Sequence, residues 1–144
     1  MILVLGSGES GVGSALLAKS KGLSVFVSES NMIEKKYKEL LLNNDIQFEE
    51  NGHLEADKLN VDYVIKSPGI PDTAAIIKKF VLKQTQIISE IEFASKFTDA
   101  TIIGVTGSNG KTTTATIIYE ILKSENTDVD IAGNIGVSFA SKVA

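Results

Sequence analysis

The sequence predicts an α/β fold: a Rossmann-like parallel sheet flanked by helices, followed by the first βαβ unit of a P-loop ATPase domain. Three observations predict it. Short apolar, β-branched runs alternate with helical-period runs from Met1 to Phe97. "GSGESG" (Gly6 to Gly11) breaks the first strand-to-helix junction with G-x-G-x-x-G spacing. "GVTGSNGKTTT" (Gly104 to Thr114) breaks a second such junction nearer the other end.

"MILVL" is a continuous apolar run, the signature of a strand buried on both faces of a parallel sheet. After the glycines, Val12, Ala15, Leu16 and Ala18 recur at helical spacing up to Gly22, a helix stop. "LSVFVS" (Leu23 to Ser28) returns as a strand and completes a right-handed βαβ unit. "IEKKYKELLL" is an amphipathic helix with Ile33, Tyr37, Leu40 and Leu41 on one face, and "IQFEE" is a short strand. "VDYVIKS" (Val61 to Ser67) is a strand that stops at Pro68, which has no N–H for a ladder. "TAAIIKKFVLK", "TQIIS" and "EIEFASKF" read as helix, strand and helix, closing a first domain over residues 1–97.

Residues 98–144 read as a second unit: strand Ala100 to Ile103, loop, helix from Ala115 to Lys123, and strand Val129 to Gly133. "GVSFASKVA" opens a further helix. One βαβ unit leaves most of its faces uncovered, so this part is expected to lean on the first domain or on further protein.

Composition narrows the function classes. The 144 residues are 43% hydrophobic and 22% charged, the balance of a folded chain with a real core. A net charge of −4 with interspersed signs offers no basic stripe for nucleic acid. No apolar run reaches the roughly 20 residues of a membrane span, and "MILVLGSG" lacks a basic signal-peptide region, so a cytoplasmic location is expected. The absence of cysteine excludes disulfides, thiolate metal sites and a cysteine nucleophile. The single histidine, His53, lies in a polar stretch and reads as a solvated loop residue, with a ligand contact as the alternative.

In the first loop, Gly6 permits the tight turn, Gly8 lets backbone approach a phosphate, and Gly11 lets helix pack on strand. The free N–H groups at the helix start then face an anion. Glu29, about 20 residues on and at the end of the next strand, can accept hydrogen bonds from a ribose or a base edge. Taken alone, this fingerprint suggests NAD. The second loop ends in Gly110-Lys111-Thr112, where backbone amides wrap phosphates, the lysine meets β and γ oxygens and the threonine hydroxyl ligates Mg²⁺. A strict G-x-x-x-x-G-K-[ST] pattern wants glycine at 105, where Val105 stands; Gly107 supplies a tighter G-x-x-G-K-T form.

Two such loops, with "SPGIP" between them and "GNIG" after, resemble the Mur ligases along all 144 residues. Asn109, "GSGESG", "SEIEF" (Ser89 to Phe93) and "AGNIG" (Ala132 to Gly136) are similar to the branch that adds D-glutamate. The resemblance implies that residues 1–97 bind a UDP-sugar precursor and not NAD, and that residues 98–144 begin a central ATP-binding domain. It implies that Gly8, Glu9, Ser10 and Gly11 meet the diphosphate, and that Glu29, Ser30 and Asn31 surround uracil. Asn31 stands where the family has arginine, so a stacking or cation–π contact with the base is lost. Ser67, Pro68, Gly69, Asn134 and Gly136 are implied on the sugar and diphosphate side, although "SPG" alone reads as an ordinary turn. Gly107, Ser108, Asn109, Gly110, Lys111, Thr112 and Thr113 are implied as the ATP loop, with Lys111 and Thr112 catalytic and Thr112 on Mg²⁺.

The implied reaction joins D-glutamate to UDP-N-acetylmuramoyl-L-alanine at the expense of ATP, through an acyl phosphate. The expected protein is the amino-terminal part of a longer cytoplasmic ligase, monomeric when full length and inactive as these residues alone. Two other readings of the loops stay open: a UDP-sugar binding module with a vestigial P-loop, and an NAD-dependent oxidoreductase domain.

Overall fold

A computed structural model of the chain describes residues 1–133 and 137–144. Its sheet is built from β1 (Ile2–Leu5), β2 (Val25–Ser28), β3 (Gln47–Glu49), β4 (Tyr63–Lys66) and β5 (Gln86–Ile88), all parallel, in spatial order β3-β2-β1-β4-β5. The chain runs outward from β1 to β3, then returns across the sheet to β4. The reversal falls between β1 and β4, which are paired from Ile2 with Tyr63 to Leu5 with Lys66.

Alternation of side chains along β1 explains why its sequence is apolar throughout. Ile2 and Val4 face a core built with α1 (Glu9–Ser20), α2 (Lys35–Asn43) and α4 (Glu90–Ala94), whereas Leu3 and Leu5 face a second core under α3 (Ala75–Leu82). Leu3, Val4 and Leu5 are fully buried. Burial on both faces stabilises such a strand by roughly 25 cal/mol per Å² of apolar surface removed from water.

Helix α1 stops at Gly22, which adopts φ +72°, as the sequence predicts. Helix α2 starts two residues after Ile33; Ile33 and Leu41 are buried as expected, whereas Leu40 is exposed. Helix α4 begins at a reciprocal cap: Ser89 Oγ accepts from the Glu92 N–H at 3.2 Å, and the Ser89 N–H donates to Glu92 Oε2 at 2.7 Å. A single 3₁₀ turn, Ser95–Phe97, follows.

After Phe97 the expectations hold only in part. Helix α5 (Lys111–Ser124) forms, and starts one turn earlier than its apolar pattern indicates. The expected strands at Ala100 to Ile103 and Val129 to Gly133 do not form, so the described residues of this unit make no β ladder. A strand exists only against a partner, and neither run is paired with a strand of this sheet. Helix α5 buries none of its residues. A short α6 (Phe139–Val143) instead packs on α1 and α4, with Ala140 fully buried and Phe139 and Val143 against the α1 core.

Candidate functional site

The crevice between the carboxyl ends of β1 and β4 is where an open parallel sheet of this winding binds ligands. Gly6 follows β1 and Ser67 follows β4, and the two touch. A Cβ on Gly6 would lie 2.5 Å from Ser67 Oγ, and Gly6 also adopts φ +96°. One on Gly11 would lie 2.0 Å from the Gly6 carbonyl oxygen, so the last glycine of the motif is required for helix α1 to close on the loop. Gly8, the N-cap of α1, has nothing within 4 Å of where a Cβ would be. The loop is thus tight at both ends and open in the middle, over the N-terminus of a helix of 12 residues.

Ser67 Oγ is the one buried side-chain polar atom among the described residues that finds no hydrogen-bond partner. Such a group costs about 1–3 kcal/mol when left unmade. Its position against Gly6 and Gly11 puts that unused hydroxyl at the switch point of the sheet.

Glu29 is half-buried, and its carboxylate is taken up by its own chain. Oε2 accepts from the Ser7 N–H at 2.9 Å and the Ser7 hydroxyl at 3.0 Å; Oε1 accepts from the Ser30 hydroxyl and the Asn31 N–H, both at 3.1 Å. Burial by itself raises the carboxyl, but the donors from Asn31, Ser7 and Ser30 outweigh it and hold Glu29 below the usual range. Glu29 therefore braces the glycine loop against residues 29–31, and its acceptor positions are filled without a ribose. The same occupancy applies to a direct contact with an NAD ribose and to one with a uracil edge, so this carboxylate acts through the loop it holds.

Beside this brace lies a network that sequence reasoning missed. Ser28 Oγ donates to Glu49 Oε1 at 2.7 Å and lies 2.6 Å from His53 Nδ1. Glu49 also accepts from the Glu55 and Ala56 N–H groups, both at 2.8 Å. His53 is accordingly half-buried and bonded, not a solvated loop residue. Backbone bonds from Glu29 N–H to the Glu49 carbonyl, Asn51 to Asn31 and Gly52 to Glu29 join the two loops. No spacing in the sequence announces this network, because it depends on β2 and β3 lying in register. Ser7, only 5% exposed, was visible as part of the motif but not as the partner of Glu29.

Pro68 lines a cavity of about 550 Å³ at the carboxyl ends of β4 and β5, together with Lys66, Ile87, Ser89, Glu90 and Ile91. Gly69 is exposed beside it, while Asn134 and Gly136 lie outside the described residues. In the second loop Gly107 and Gly110 take φ +146° and +74°, and Gly110 caps α5. Lys111, the first residue of α5, folds its ammonium onto the carbonyl oxygens of Gly107 at 2.6 Å and Ser108 at 3.4 Å. Ser108, Asn109, Thr112 and Thr113 are exposed around it. The bare backbone, the lysine and the hydroxyls fit a polyphosphate and an oxygen-seeking cation such as Mg²⁺. Thr112 is a single oxygen donor, and the described residues contain no cluster of three acidic or histidine side chains to complete a metal site. Nor is any described helix long and apolar enough to cross a membrane.

The comparisons with known proteins meet this geometry. The family described as MurD N-terminal domain matches residues 1–76, and the Mur ligase middle domain matches residues 105–142. The UDP-N-acetylmuramoylalanine–D-glutamate ligases of Bacteroides thetaiotaomicron and Porphyromonas gingivalis strain W83 are 54% and 55% identical to the chain over 143 residues. In each case 99% of this chain is covered, and the chain spans about a third, 32%, of the relative's length. Among solved structures, a murein peptide ligase of Psychrobacter arcticus matches with a TM-score of 0.64 at 28% identity, over 87% of this chain and 26% of that one. The UDP-N-acetylmuramate–alanine ligase of Thermotoga maritima matches with a TM-score of 0.57 at 27% identity, over 87% and 29%.

Proposed function

Because the chain belongs to the Mur ligase family, we propose that its two glycine loops serve two substrates of one ligation, a uridine diphosphate precursor at Gly6 to Gly11 and ATP at Gly107 to Thr113. The observation that carries this is the first loop: Gly8 stands in open space at the N-terminus of α1, at the switch point, with the unused Ser67 hydroxyl against Gly6. The relatives are named for UDP-N-acetylmuramoylalanine and D-glutamate; for this chain we take the precursor as UDP-N-acetylmuramoyl-L-alanine, the incoming amine as D-glutamate and the setting as peptidoglycan synthesis. We assign residues 1–97 to precursor binding and 98–144 to the start of the ATP-binding domain.

Gly8, Glu9, Ser10 and Gly11 present main-chain amides to the diphosphate, and Ser67, Pro68 and Gly69 close its other side. Glu29, through Ser7 and Asn31, fixes the spacing between the glycine loop and the loop of Ser30 and Asn31 that receives the base. Lys111, now paired with loop carbonyls, is the cation available to β and γ phosphate oxygens, and Thr112 is the oxygen available to Mg²⁺. When bound, ATP supplies the phosphoryl group that makes the alanyl carboxylate an acyl phosphate, from which the amine of D-glutamate displaces phosphate. Lys111 stabilises the charge that develops during that transfer.

Separate calorimetric titrations of the chain with UDP, UDP-N-acetylmuramoyl-L-alanine, Mg·ATP and NAD test the assignment. Binding of the uridine compounds and of Mg·ATP, with no NAD binding, is expected. NAD binding without uridine binding overturns it. The relatives are about three times as long as the chain, so a coupled phosphate-release assay of these 144 residues with all three substrates is expected to show no turnover.

A further inference from the structure

The loop of residues 29–31 is held from a second side, by the chain that leaves β3. Strands β2 and β3 end side by side, with Ser28 opposite Glu49 in register. Beyond Glu49 the chain turns sharply at Asn51 and Gly52, with φ +63° and +144°. That turn aims two amides at the neighbouring loop: the Asn51 N–H donates to the Asn31 carbonyl at 3.0 Å, and the Gly52 N–H to the Glu29 carbonyl at 3.1 Å. The next residue is His53, whose Nδ1 lies 2.6 Å from Oγ of the fully buried Ser28.

The direction of that contact follows from counting protons. A serine hydroxyl has one, and Ser28 gives it to Glu49 Oε1 at 2.7 Å. Glu49 accepts from the Glu55 and Ala56 N–H groups as well, and as a carboxylate it has no proton to return. The proton between Ser28 and His53 therefore sits on Nδ1, and the imidazole donates to Ser28 Oγ. One line of hydrogen bonds thus runs from His53 through Ser28 and Glu49 to the 3₁₀ turn Ala56–Lys58, with the Asn51–Gly52 turn enclosed between its ends.

We propose that His53 is a positioning residue for recognition of the base: by donating from Nδ1 to Ser28 it holds the Asn51–Gly52 turn against residues 29–31, and so fixes the peptide planes that carry Ser30 and Asn31. This rests on the uridine diphosphate reading above. Its consequence is specific, because the bonds from Glu29 to Ser7 that brace the glycine loop do not pass through His53. Loss of the His53 contact frees the base loop and leaves the diphosphate loop in place.

Two measurements on the whole chain test it: hydrogen exchange at the Asn51 and Gly52 amides, and binding of labelled UDP with its displacement by inorganic diphosphate. His53→Ala is expected to speed exchange at both amides about tenfold and to weaken UDP about tenfold, as loss of one hydrogen bond implies, with diphosphate unchanged. His53→Asn carries an amide N–H at the same bond count from Cα as Nδ1 and is expected to restore both. His53→Gln carries its amide one bond further out, where Nε2 stands, and is expected to restore neither. Lost packing alone would not separate these two, since glutamine fills the site at least as well as asparagine. Unchanged exchange and UDP affinity in His53→Ala, or equal recovery by asparagine and glutamine, overturns the positioning role. Equal weakening of UDP and diphosphate overturns its restriction to the base. If the wild-type chain binds no UDP, the uridine reading falls and takes base recognition with it, whereas exchange still decides whether His53 holds the turn.

Discussion

Glu29 and Glu49 show how one side chain's chemistry reaches a whole loop. Burial raises both carboxyls, but donated hydrogen bonds outweigh it: from Asn31, Ser7 and Ser30 at Glu29, and from Glu55, Ala56 and Ser28 at Glu49, where the charge of His53 adds to them. Both carboxyls are held low in the folded chain, so they add stability that is fully present above the ordinary glutamate value of about 4.3 and lost as pH falls through their lower folded values. Urea midpoints measured from pH 6 to pH 3 are expected to fall for the wild type and to fall less steeply for a Glu29→Gln, Glu49→Gln double variant. Ser67 gives the opposite trade. Ser67→Ala removes a buried hydroxyl with no partner, so the free chain is expected to gain about 1 kcal/mol in urea unfolding while uridine nucleotide affinity drops. A loss of stability would show that the hydroxyl is satisfied within the chain.

Helix ends carry the element-scale lesson. α1 stops at a glycine in the left-handed region, but α2, α3 and α5 are followed by Asp45, Gln84 and Asn126 at φ +52°, +57° and +56°. Aspartate and asparagine tolerate that region, whereas glutamine has no such local compensation. Gln84→Gly is expected to raise stability by about 0.5–1 kcal/mol in thermal unfolding, against the usual cost of adding a glycine. At the strands, the apolar runs at Ala100 to Ile103 and Val129 to Gly133 show what local pattern leaves undecided. β-branched composition announces that a run can pair, while pairing itself needs a neighbour's backbone at about 4.8 Å.

In the whole molecule, stability is unevenly spread. The sheet and its helices hold both buried cores, whereas residues 98–110 form no helix or strand and α5 exposes Ile117 and Ile121. Limited proteolysis is expected to cut first between 98 and 110 and leave a resistant core close to residues 1–97, as checked by mass spectrometry. Early cleavage inside 1–97 would count against the proposed domain boundary.

The order of strands and helices through Phe97, both glycine loops and the lysine at the head of α5 were legible in the sequence. Each is set by local rules: a two-residue or 3.6-residue period, a backbone that needs glycine, a helix that starts where amides are free. The tertiary structure decided which groups meet. It placed the Ser67 hydroxyl on Gly6, spent the Glu29 carboxylate on Ser7 and Asn31, drew His53 to Ser28, and seated α6 on Gly13 and Glu90. Apart from Glu29 with Asn31, which are neighbours in one loop, those pairings join residues far apart in the chain, and they follow from strand register and the close approach of helices, which one-dimensional spacing does not encode.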